Sequence, residues 1–240
     1  MSNTLKIRLG REGEIIEPDY LAERVGIVVV LDALGMKRAL LEYAPSNIFE
    51  KWTKVTDNFE YEIMHRNNNC FFRVFSDTII ITCYNINNQN IKNSIDFLGN
   101  ILINNFINGI LNNIFFRGTL AYGKYSESTR LVLGDAINKA TACHEKTNWL
   151  GISLFPDINY GQYNTNSDKF INYNIPYKEE LSTFSNGFAL NWINNSKSAD
   201  CYRVLKDKQR QYEGTNYSKY YINTIRFFEY IINSSENELT

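Results

Sequence analysis

The chain has 240 residues, 44% of them hydrophobic and 21% charged. This length and balance suit one large globular domain, or a compact domain with an extension, and exclude a disordered chain, a collagen and a coiled coil. There are 25 Lys and Arg against 26 Asp and Glu, which gives a formal net charge of -1. Because the charges balance, no overall basic field would recruit nucleic acid or an anionic membrane, and any nucleotide binding must come from a local site.

The N-terminal segment, residues 1–24, begins with a polar stretch of mixed charge and has no apolar core of the kind that a secretory signal needs. The apolar runs elsewhere are far shorter than the roughly 20 residues of a membrane span, so we expect a cytoplasmic protein with no membrane helix. Two histidines and four widely spaced cysteines argue against a zinc cluster or a disulfide framework. We expect reduced, mostly buried thiols at Cys70, Cys83, Cys143 and Cys201.

A continuous β-branched run at residues 25–31 shows no alternation of polar and apolar positions, which predicts a central strand buried on both faces. Two apolar runs on either side of Ser76-Asp77 predict a tight hairpin whose turn presents an aspartate. The other predicted elements, in chain order, are helices at 36–43, 48–64 and 87–111, strands at 115–124 and 130–133, a helix at 135–146, strands at 151–155 and 187–192, and a C-terminal helix from about Tyr217.

This order of elements contains the split βαβ, ferredoxin-like arrangement, so the predicted fold class is α+β, with helices packed on a sheet. Right-handed crossovers place the first strand beside the hairpin. Residues 158–185 are polar and irregular in pattern. We therefore expect a core at 25–155, preceded by the N-terminal segment and followed by a C-terminal helical extension, 156–240, that packs on the core.

Two aspartates lie at the ends of elements that this topology places side by side. Asp32 ends the most buried strand, and Asp77 lies in the hairpin turn. An unpaired carboxylate is costly to bury at such a position. Two converging carboxylates can hold a pair of magnesium or manganese ions that bridge a triphosphate. The alternative is that Asp32 caps the following helix and Asp77 only serves the turn.

Four stretches, in register along the chain, resemble the class III nucleotidyl cyclases. The segment VLDALGM at 30–36 resembles the first metal-binding strand of that family, and FSDT at 75–78 resembles its Gly-Asp hairpin. RGTLAYG at 117–123 is similar to the family's R-x-G-x-x-x-G strand, and GDAIN at 134–138 matches its G-D-x-V-N motif. The resemblance covers residues 25–155.

The resemblance implies a homodimer with composite active sites, in which one subunit holds the metals and the other contacts the base and ribose. It implies attack of the ribose 3′-hydroxyl on the α-phosphorus, with release of pyrophosphate, assisted by two Mn²⁺ or Mg²⁺ ions per site. Asp32, Asp77 and the backbone carbonyl of Ala33 would be the metal ligands, and Asn138 would orient the ribose.

The base-reading positions of the purine cyclases hold different residues in this chain, Arg73 and Leu131. The Leu131 side chain offers no hydrogen bond, and Arg73 presents only donors, which suit the carbonyl oxygens of uracil or the O2 and N3 atoms of cytosine. Segments of the chain are also similar to the pyrimidine cyclases of the Pycsar antiphage systems. That likeness implies conversion of UTP or CTP to cUMP or cCMP, which activates a separate effector; the choice of base, the phage signal and the effector stay open. Arg73 could instead be a solvated or salt-bridged strand residue.

One departure from the family concerns its transition-state arginine, which falls where this chain has Ala142. Another cation must then neutralise the developing charge, or the chain is a catalytically inactive homologue that binds nucleotide as a sensor. A palm-type dinucleotide synthase is a further alternative, disfavoured because the hairpin lacks a paired Asp-Asp turn. The candidate cations are Lys139, which could also bind substrate, Arg117, Lys146 and His144.

Overall fold

The computed structural model of the chain describes residues 8–9, 15–16, 21–36, 45–66, 69–128, 131–163, 168–178 and 186–237, and the statements below concern these residues. In chain order the elements are β1 (Arg8–Leu9), β2 (Ile15–Ile16), β3 (Ala22–Ala33), α1 (Pro45–Arg66), β4 (Cys70–Phe75), β5 (Thr78–Tyr84), α2 (Ile91–Leu111), β6 (Phe116–Glu127), β7 (Val132–Gly134), α3 (Asp135–Lys146), β8 (Ile152–Leu154), α4 (Tyr160–Tyr163), β9 (Phe170–Asn174), β10 (Asn186–Leu190), α5 (Ser198–Gln211) and α6 (Ser218–Asn237).

The described part of the chain forms an eight-stranded sheet in the order β4-β5-β3-β6-β8-β10-β9, with β7 attached to β6. The β6–β8 pair is parallel and the other pairs of this sheet are antiparallel. Strand β3 lies between the hairpin strand β5 and β6, as the crossover rule predicts. The α+β class predicted from the order of elements is confirmed, and β9 and β10 continue the same sheet beyond residue 155.

Strand β3 is central because its β-branched run is buried on both faces. Ile27, Val29 and Leu31 join the core beneath α1 and α2, whereas Val28 and Val30 pack with small residues of α3 on the opposite face. All five side chains are at most 2% exposed. Each contributes roughly 1.5–3 kcal/mol relative to an exposed position, which fixes the register of the strand. Asp32 therefore lies on the α3 face of the sheet.

A glycine pair lies in the middle of the β3–β6 ribbon. Gly26 lies opposite Gly123, and a Cβ added at Gly26 would come within 2.0 Å of the Cys83 carbonyl oxygen, so only glycine fits there. Beyond this pair, Glu127 pairs with Ala22 in the ladder, yet its carboxylate accepts a hydrogen bond from Thr82 at 2.6 Å. The far end of the ribbon thus folds back over β5.

Most predicted elements are found, with shifted ends, and the differences have physical causes. The helix predicted at 36–43 lies mostly outside the described residues. Strand β9 lies in the stretch predicted to be irregular, and its exposed positions are the asparagines Asn172 and Asn174, which are not typical strand residues. Helix α5 was not predicted, since its only fully buried side chains are Cys201 and Leu205, an apolar stripe too narrow to stand out in the sequence.

The expectation of four reduced thiols is wrong for two of them. Cys70 and Cys83 form a disulfide, whereas Cys143 and Cys201 are free and buried. The two-residue turn of the β4–β5 hairpin sets the register, and this register places Cys70 directly opposite Cys83 with a Cα–Cα distance of 4.1 Å. Spacing along the sequence does not reveal such a pair unless the register of the hairpin is known. Among the described helices, none is long and apolar enough to cross a membrane.

Candidate active site

The two candidate metal-binding aspartates meet at one end of the sheet. Asp32 is the penultimate residue of β3, between Thr78 of β5 and Arg117 of β6. Asp77 lies in the β4–β5 turn, which Ser76 allows by adopting a positive φ of 58°. The backbone N–H of Ala33 donates to the Asp77 carbonyl oxygen at 2.9 Å, which ties the hairpin turn to the end of β3.

Arg117 is the cation that contacts this site directly. Its Nε donates to Asp32 Oδ2 at 2.9 Å, and both side chains are largely buried, at 13% and 20% exposure. The Nη1 atom of Arg117 is buried and has no hydrogen-bond partner among the described residues. A buried guanidinium nitrogen without an acceptor is unfavourable, so the site is suited to an additional oxygen ligand at this point.

The donor set fits a hard divalent cation. The Asp77 side chain makes no hydrogen bond or ion pair with another described residue, and Asp32 uses only Oδ2 toward Arg117. Carboxylate and carbonyl oxygens are the ligands that Mg²⁺ and Mn²⁺ prefer, with water and phosphate oxygens completing the shell. No group of three or more His, Cys, Asp or Glu side chains occurs in the described part of the chain. Ions held by Asp32, Asp77 and the Ala33 carbonyl would therefore take most of their ligands from the substrate.

The candidate base-reading arginine is held by its own chain. Arg73 donates from Nη2 to Glu127 Oε2 at 3.2 Å and to the Ser128 carbonyl at 2.7 Å, and from Nη1 to the Thr82 hydroxyl at 3.2 Å. Glu127 is 2% exposed, and Arg24 lies on its other oxygen at 3.5 Å. Only the Arg73 Nε atom, which is buried, lacks a hydrogen-bond partner among the described residues. This is the salt-bridged arrangement that the sequence left as an alternative.

Leu131 lies beside the same cluster through the β6–β7 turn. Its backbone N–H donates to the Ser128 hydroxyl, and Ser128 N–H donates back to the Leu131 carbonyl at 2.8 Å. The Leu131 side chain is 46% exposed. The structure thus brings Arg73 and Leu131 together around Ser128, at a distance along the sheet from Asp32 and Asp77.

Helix α3 presents the remaining candidate residues. Asn138 is exposed in the first turn, and its side chain makes no hydrogen bond to another described residue. Lys139 donates to Asp135 and Asp157, both at 2.7 Å, and these two contacts raise its pKa. Ala142 is exposed one turn after Asn138. Lys139 is therefore already neutralised within its own chain and is a poor candidate for binding phosphate.

Two further groups lie near Asp32 and Arg117. His144 is buried, with its Nδ1 atom 3.1 Å from the Ala140 carbonyl oxygen, and burial lowers its pKa below the ordinary value of 6.5. Lys178 donates to the Glu145 carbonyl at 2.6 Å, and its pKa is lowered by burial and by the Arg117 guanidinium. Lys178 was not predicted from the sequence, because it lies in the irregular stretch between β9 and β10. A backbone bond from Lys178 to Lys146 brings it to this end of the molecule.

Comparison with protein-family models finds no match, and no curated protein matches the sequence. Solved structures do match. The adenylyl cyclase CyaB from P. aeruginosa superposes with a TM-score of 0.52 at 10% identity over 71% of this chain and 95% of that one. The guanylyl cyclase domain of the RhoGC fusion protein from the aquatic fungus Blastocladiella emersonii, whose crystal structure is dimeric, gives 0.51 at 11% identity over 72% and 97%.

A bacterial light-regulated adenylyl cyclase gives a TM-score of 0.52 at 10% identity over 78% of this chain. This chain spans only 58% of that longer protein. Identities this low establish the architecture of the fold and leave the chemistry to be argued from the site itself. The chain has the α+β fold of the catalytic domains of adenylyl and guanylyl cyclases.

Proposed function

We propose that this protein is a metal-dependent nucleotidyl cyclase that converts a pyrimidine nucleoside triphosphate, UTP or CTP, to its 3′,5′-cyclic monophosphate and pyrophosphate. The observation that carries the proposal is the junction of Asp32 and Asp77 through the bond from Ala33 to the hairpin turn. Two carboxylates lie at the ends of adjacent elements, and that of Asp77 has no partner among the described residues. This arrangement matches the needs of a triphosphate-bound cation pair. Additional support comes from the shared fold.

The reaction would need three contributions from the chain. Asp32, Asp77 and the Ala33 carbonyl would hold the divalent ions, which when bound supply Lewis acidity toward the triphosphate and the 3′-hydroxyl. The Nη1 of Arg117, which bonds to no described residue, would donate to a phosphate oxygen, and Lys178 adds positive charge nearby. Attack of the 3′-oxygen on the α-phosphorus breaks the bond to pyrophosphate, so catalysis is chiefly positioning and electrostatic stabilisation.

The pyrimidine preference is the finer part of the proposal. Arg73 offers its buried Nε, and Leu131 supplies no hydrogen bond, so a purine amino edge finds no acceptor from these two side chains. Arg73 is paired with Glu127. To bind a base, its guanidinium would either keep this pair and use another N–H group, or give up part of the pair in favour of the base. We extend the proposal to a homodimer with composite sites and to a role as signal generator for a separate effector in antiphage defence, for which the support is the sequence resemblance.

The decisive experiment offers the pure protein all four ribonucleoside triphosphates with Mn²⁺ or Mg²⁺ and identifies any product by mass. A cyclic pyrimidine monophosphate and pyrophosphate, both lost in Asp32→Asn and Asp77→Asn variants that keep their fold, is the expected result. Cyclic AMP or GMP would retain the cyclase and remove the pyrimidine preference. Nucleotide binding without any product would indicate an inactive homologue, and a dinucleotide would indicate a synthase.

Arg73→Lys tests the base assignment more cleanly than Arg73→Ala. Alanine would leave the buried Glu127 carboxylate poorly compensated and could cost several kcal/mol of stability, whereas lysine keeps the charge and loses the planar fork. We expect Arg73→Lys to lower kcat/KM for the preferred pyrimidine by about 10- to 10²-fold, with unchanged unfolding stability to within about 1 kcal/mol. Unchanged substrate preference in this variant would contradict the assignment.

A further inference from the structure

A cavity of about 140 Å³ lies between the core and the C-terminal helices, on the opposite side of the sheet from Asp32. Its walls come from the loop after β3, the start of α1, the α2–β6 loop, the end of α5 and the beginning of α6. Residues Ile48, Phe115 and Tyr221 in these walls belong to the core beneath α1 and α2. The cavity contains none of the candidate active-site residues, although its Leu34 and Gly35 follow Asp32 by two and three positions.

The Tyr221 hydroxyl is a polar group in this wall that has no partner within the described ranges of the chain. Tyr221 is 4% exposed, and its ring is stacked on Tyr212 and packed edge-on against Phe115. Its hydroxyl makes no hydrogen bond to any other described residue. Burial and the neighbouring hydroxyls of Tyr212 and Tyr217 raise its pKa, so it remains a neutral donor at all ordinary pH values. A hydroxyl in a cavity wall that bonds to no described residue can donate to a ligand that carries an acceptor.

Positive charge converges on the same cavity. Lys51 contributes to its lining and has no ion pair or hydrogen bond with another described residue. Lys208 contributes a second ammonium group from α5. Asn47 and Ile48 also line the cavity, and they belong to the first turn of α1, where backbone N–H groups lack intrahelical acceptors and the helix dipole is positive. The described lining holds no Asp or Glu.

We propose that this cavity binds a phosphoryl group, held by Lys51, the Tyr221 hydroxyl and the first turn of α1. The chemistry of the walls is that of an oxyanion site, because donors and cations surround the space and no described acidic side chain lines it. The volume is similar to that of a cavity that holds a benzene-sized molecule, which is enough for a phosphoryl group. The group is either free inorganic phosphate or the terminal phosphate of a larger molecule that remains outside the cavity.

Calorimetric titration with inorganic phosphate tests the site, in EDTA, at constant ionic strength and without nucleoside triphosphate, so that the result does not depend on the proposed cyclase activity. We expect saturable binding to the native protein, weakened about tenfold in Lys51→Met and in Tyr221→Phe, since each loses one bond to a charged ligand. Tyr221→Phe keeps the aromatic packing. A parallel titration with uridine 5′-monophosphate and with uridine separates the sources: equal affinity for phosphate and the monophosphate indicates recognition of the phosphoryl group alone.

Matched variants identify where phosphate binds. Lys54→Met removes an exposed lysine from the same helix, one turn further on, and should leave the affinity unchanged. Arg117→Gln should also leave it unchanged; if Arg117→Gln abolishes phosphate binding, the anion sits beside Asp32 and the proposal is overturned. An absence of saturable binding would also overturn it, as would equal affinities in the native protein, Lys51→Met and Tyr221→Phe. Thermal unfolding of each variant confirms that it is folded before titration.

Discussion

Arg117 is bonded to the Asp32 carboxylate through Nε, and its Nη1 is buried with no acceptor in the part of the chain that the structure describes. Such an arrangement compensates the aspartate when no cation is bound and still leaves a donor for a phosphate oxygen. Lys139, another of the four candidate cations, is already paired with two aspartates. Among the candidate cations, Arg117 is therefore the one best placed to stand in for the arginine that is absent at Ala142.

We predict that Arg117→Gln lowers kcat/KM for the preferred nucleoside triphosphate by about 10²- to 10³-fold, the loss typical of a donor to developing negative charge. Arg117→Lys should recover part of this loss, because lysine restores the positive charge but not the planar guanidinium group with its several donors. Steady-state pyrophosphate release measures both variants, and far-UV circular dichroism checks their fold. Full activity of Arg117→Gln would exclude this residue from charge neutralisation.

We expect His144 to make the free energy of unfolding depend on pH. Its pKa is lowered from 6.5 by burial, while the nearby Asp32 and Arg117 act in opposite directions, so the folded state favours the neutral ring. A group with a lowered folded pKa contributes stability above its unfolded pKa, and that stability is lost as the pH falls below about 6.5. We predict that the free energy of unfolding decreases less between about pH 7.5 and 5.5 in His144→Asn than in the native protein.

Urea unfolding without divalent ions measures this difference. His65 provides the control, because its Nδ1 contacts the Tyr61 carbonyl oxygen in the same way, at 3.0 Å, from an exposed position. His65→Asn should retain the native pH dependence. Identical pH dependence in His144→Asn and the native protein would show that His144 is not held neutral by the fold.

At the scale of elements, the β4–β5 hairpin carries a candidate metal ligand at its turn and a disulfide at its open end. Its turn carries Asp77, fixed to β3 by the bond from Ala33, and its open end carries the Cys70–Cys83 disulfide. Because the two cysteines face each other in the ladder, the crosslink locks the register that positions the turn. A slip of one residue would turn the hairpin side chains to the opposite face.

We predict two reactive thiols per chain, Cys143 and Cys201, in protein purified without reductant and unfolded in guanidinium chloride, and four after reduction. A cytoplasmic location would by itself favour four thiols in both cases. The Cys70→Ala/Cys83→Ala double variant should be about 2–4 kcal/mol less stable, since the crosslink restricts the unfolded chain. Four thiols before reduction, with alkylation mapped to Cys70 and Cys83, would contradict the pairing.

The elements that could be predicted from the sequence are those with a clear local pattern of apolar and turn residues. The buried run of β3, the hairpin around Asp77 and helix α3 are strongly patterned, and α3 has the predicted ends, Asp135–Lys146. The pairing of Arg73 with Glu127 could not be predicted, because the two residues are 54 positions apart and meet only in the folded sheet. The Cys70–Cys83 pair could not be predicted either, because it depends on the register of the hairpin. Lys178 was missed because it lies in a loop whose path to the site has no sequence pattern.

At the scale of the whole molecule, the candidate residues divide into separate groups. Asp32, Asp77 and Arg117 cluster at one end of the sheet, while Asn138 projects into solvent from α3 and Arg73 lies with Glu127 near the far end of β6. A nucleotide bound at the aspartates of one chain need not reach the Asn138 side chain of that chain. A second copy of the chain would supply the missing contacts in the composite site that we propose.

We predict that an inactive Asp77→Asn chain and an inactive Asn138→Ala chain regain activity when mixed. Random exchange makes half of the dimers heterodimers, each with one intact site of two, so equal mixing should restore about a quarter of the native rate. Asp32→Asn mixed with Asp77→Asn is the matched control: both changes affect the same half of the site, so every site stays defective and no activity should return. Mass spectrometry of the mixture verifies subunit exchange before the assay. Equal recovery in both mixtures, or a monomer with the full native rate, would contradict a site shared between two chains.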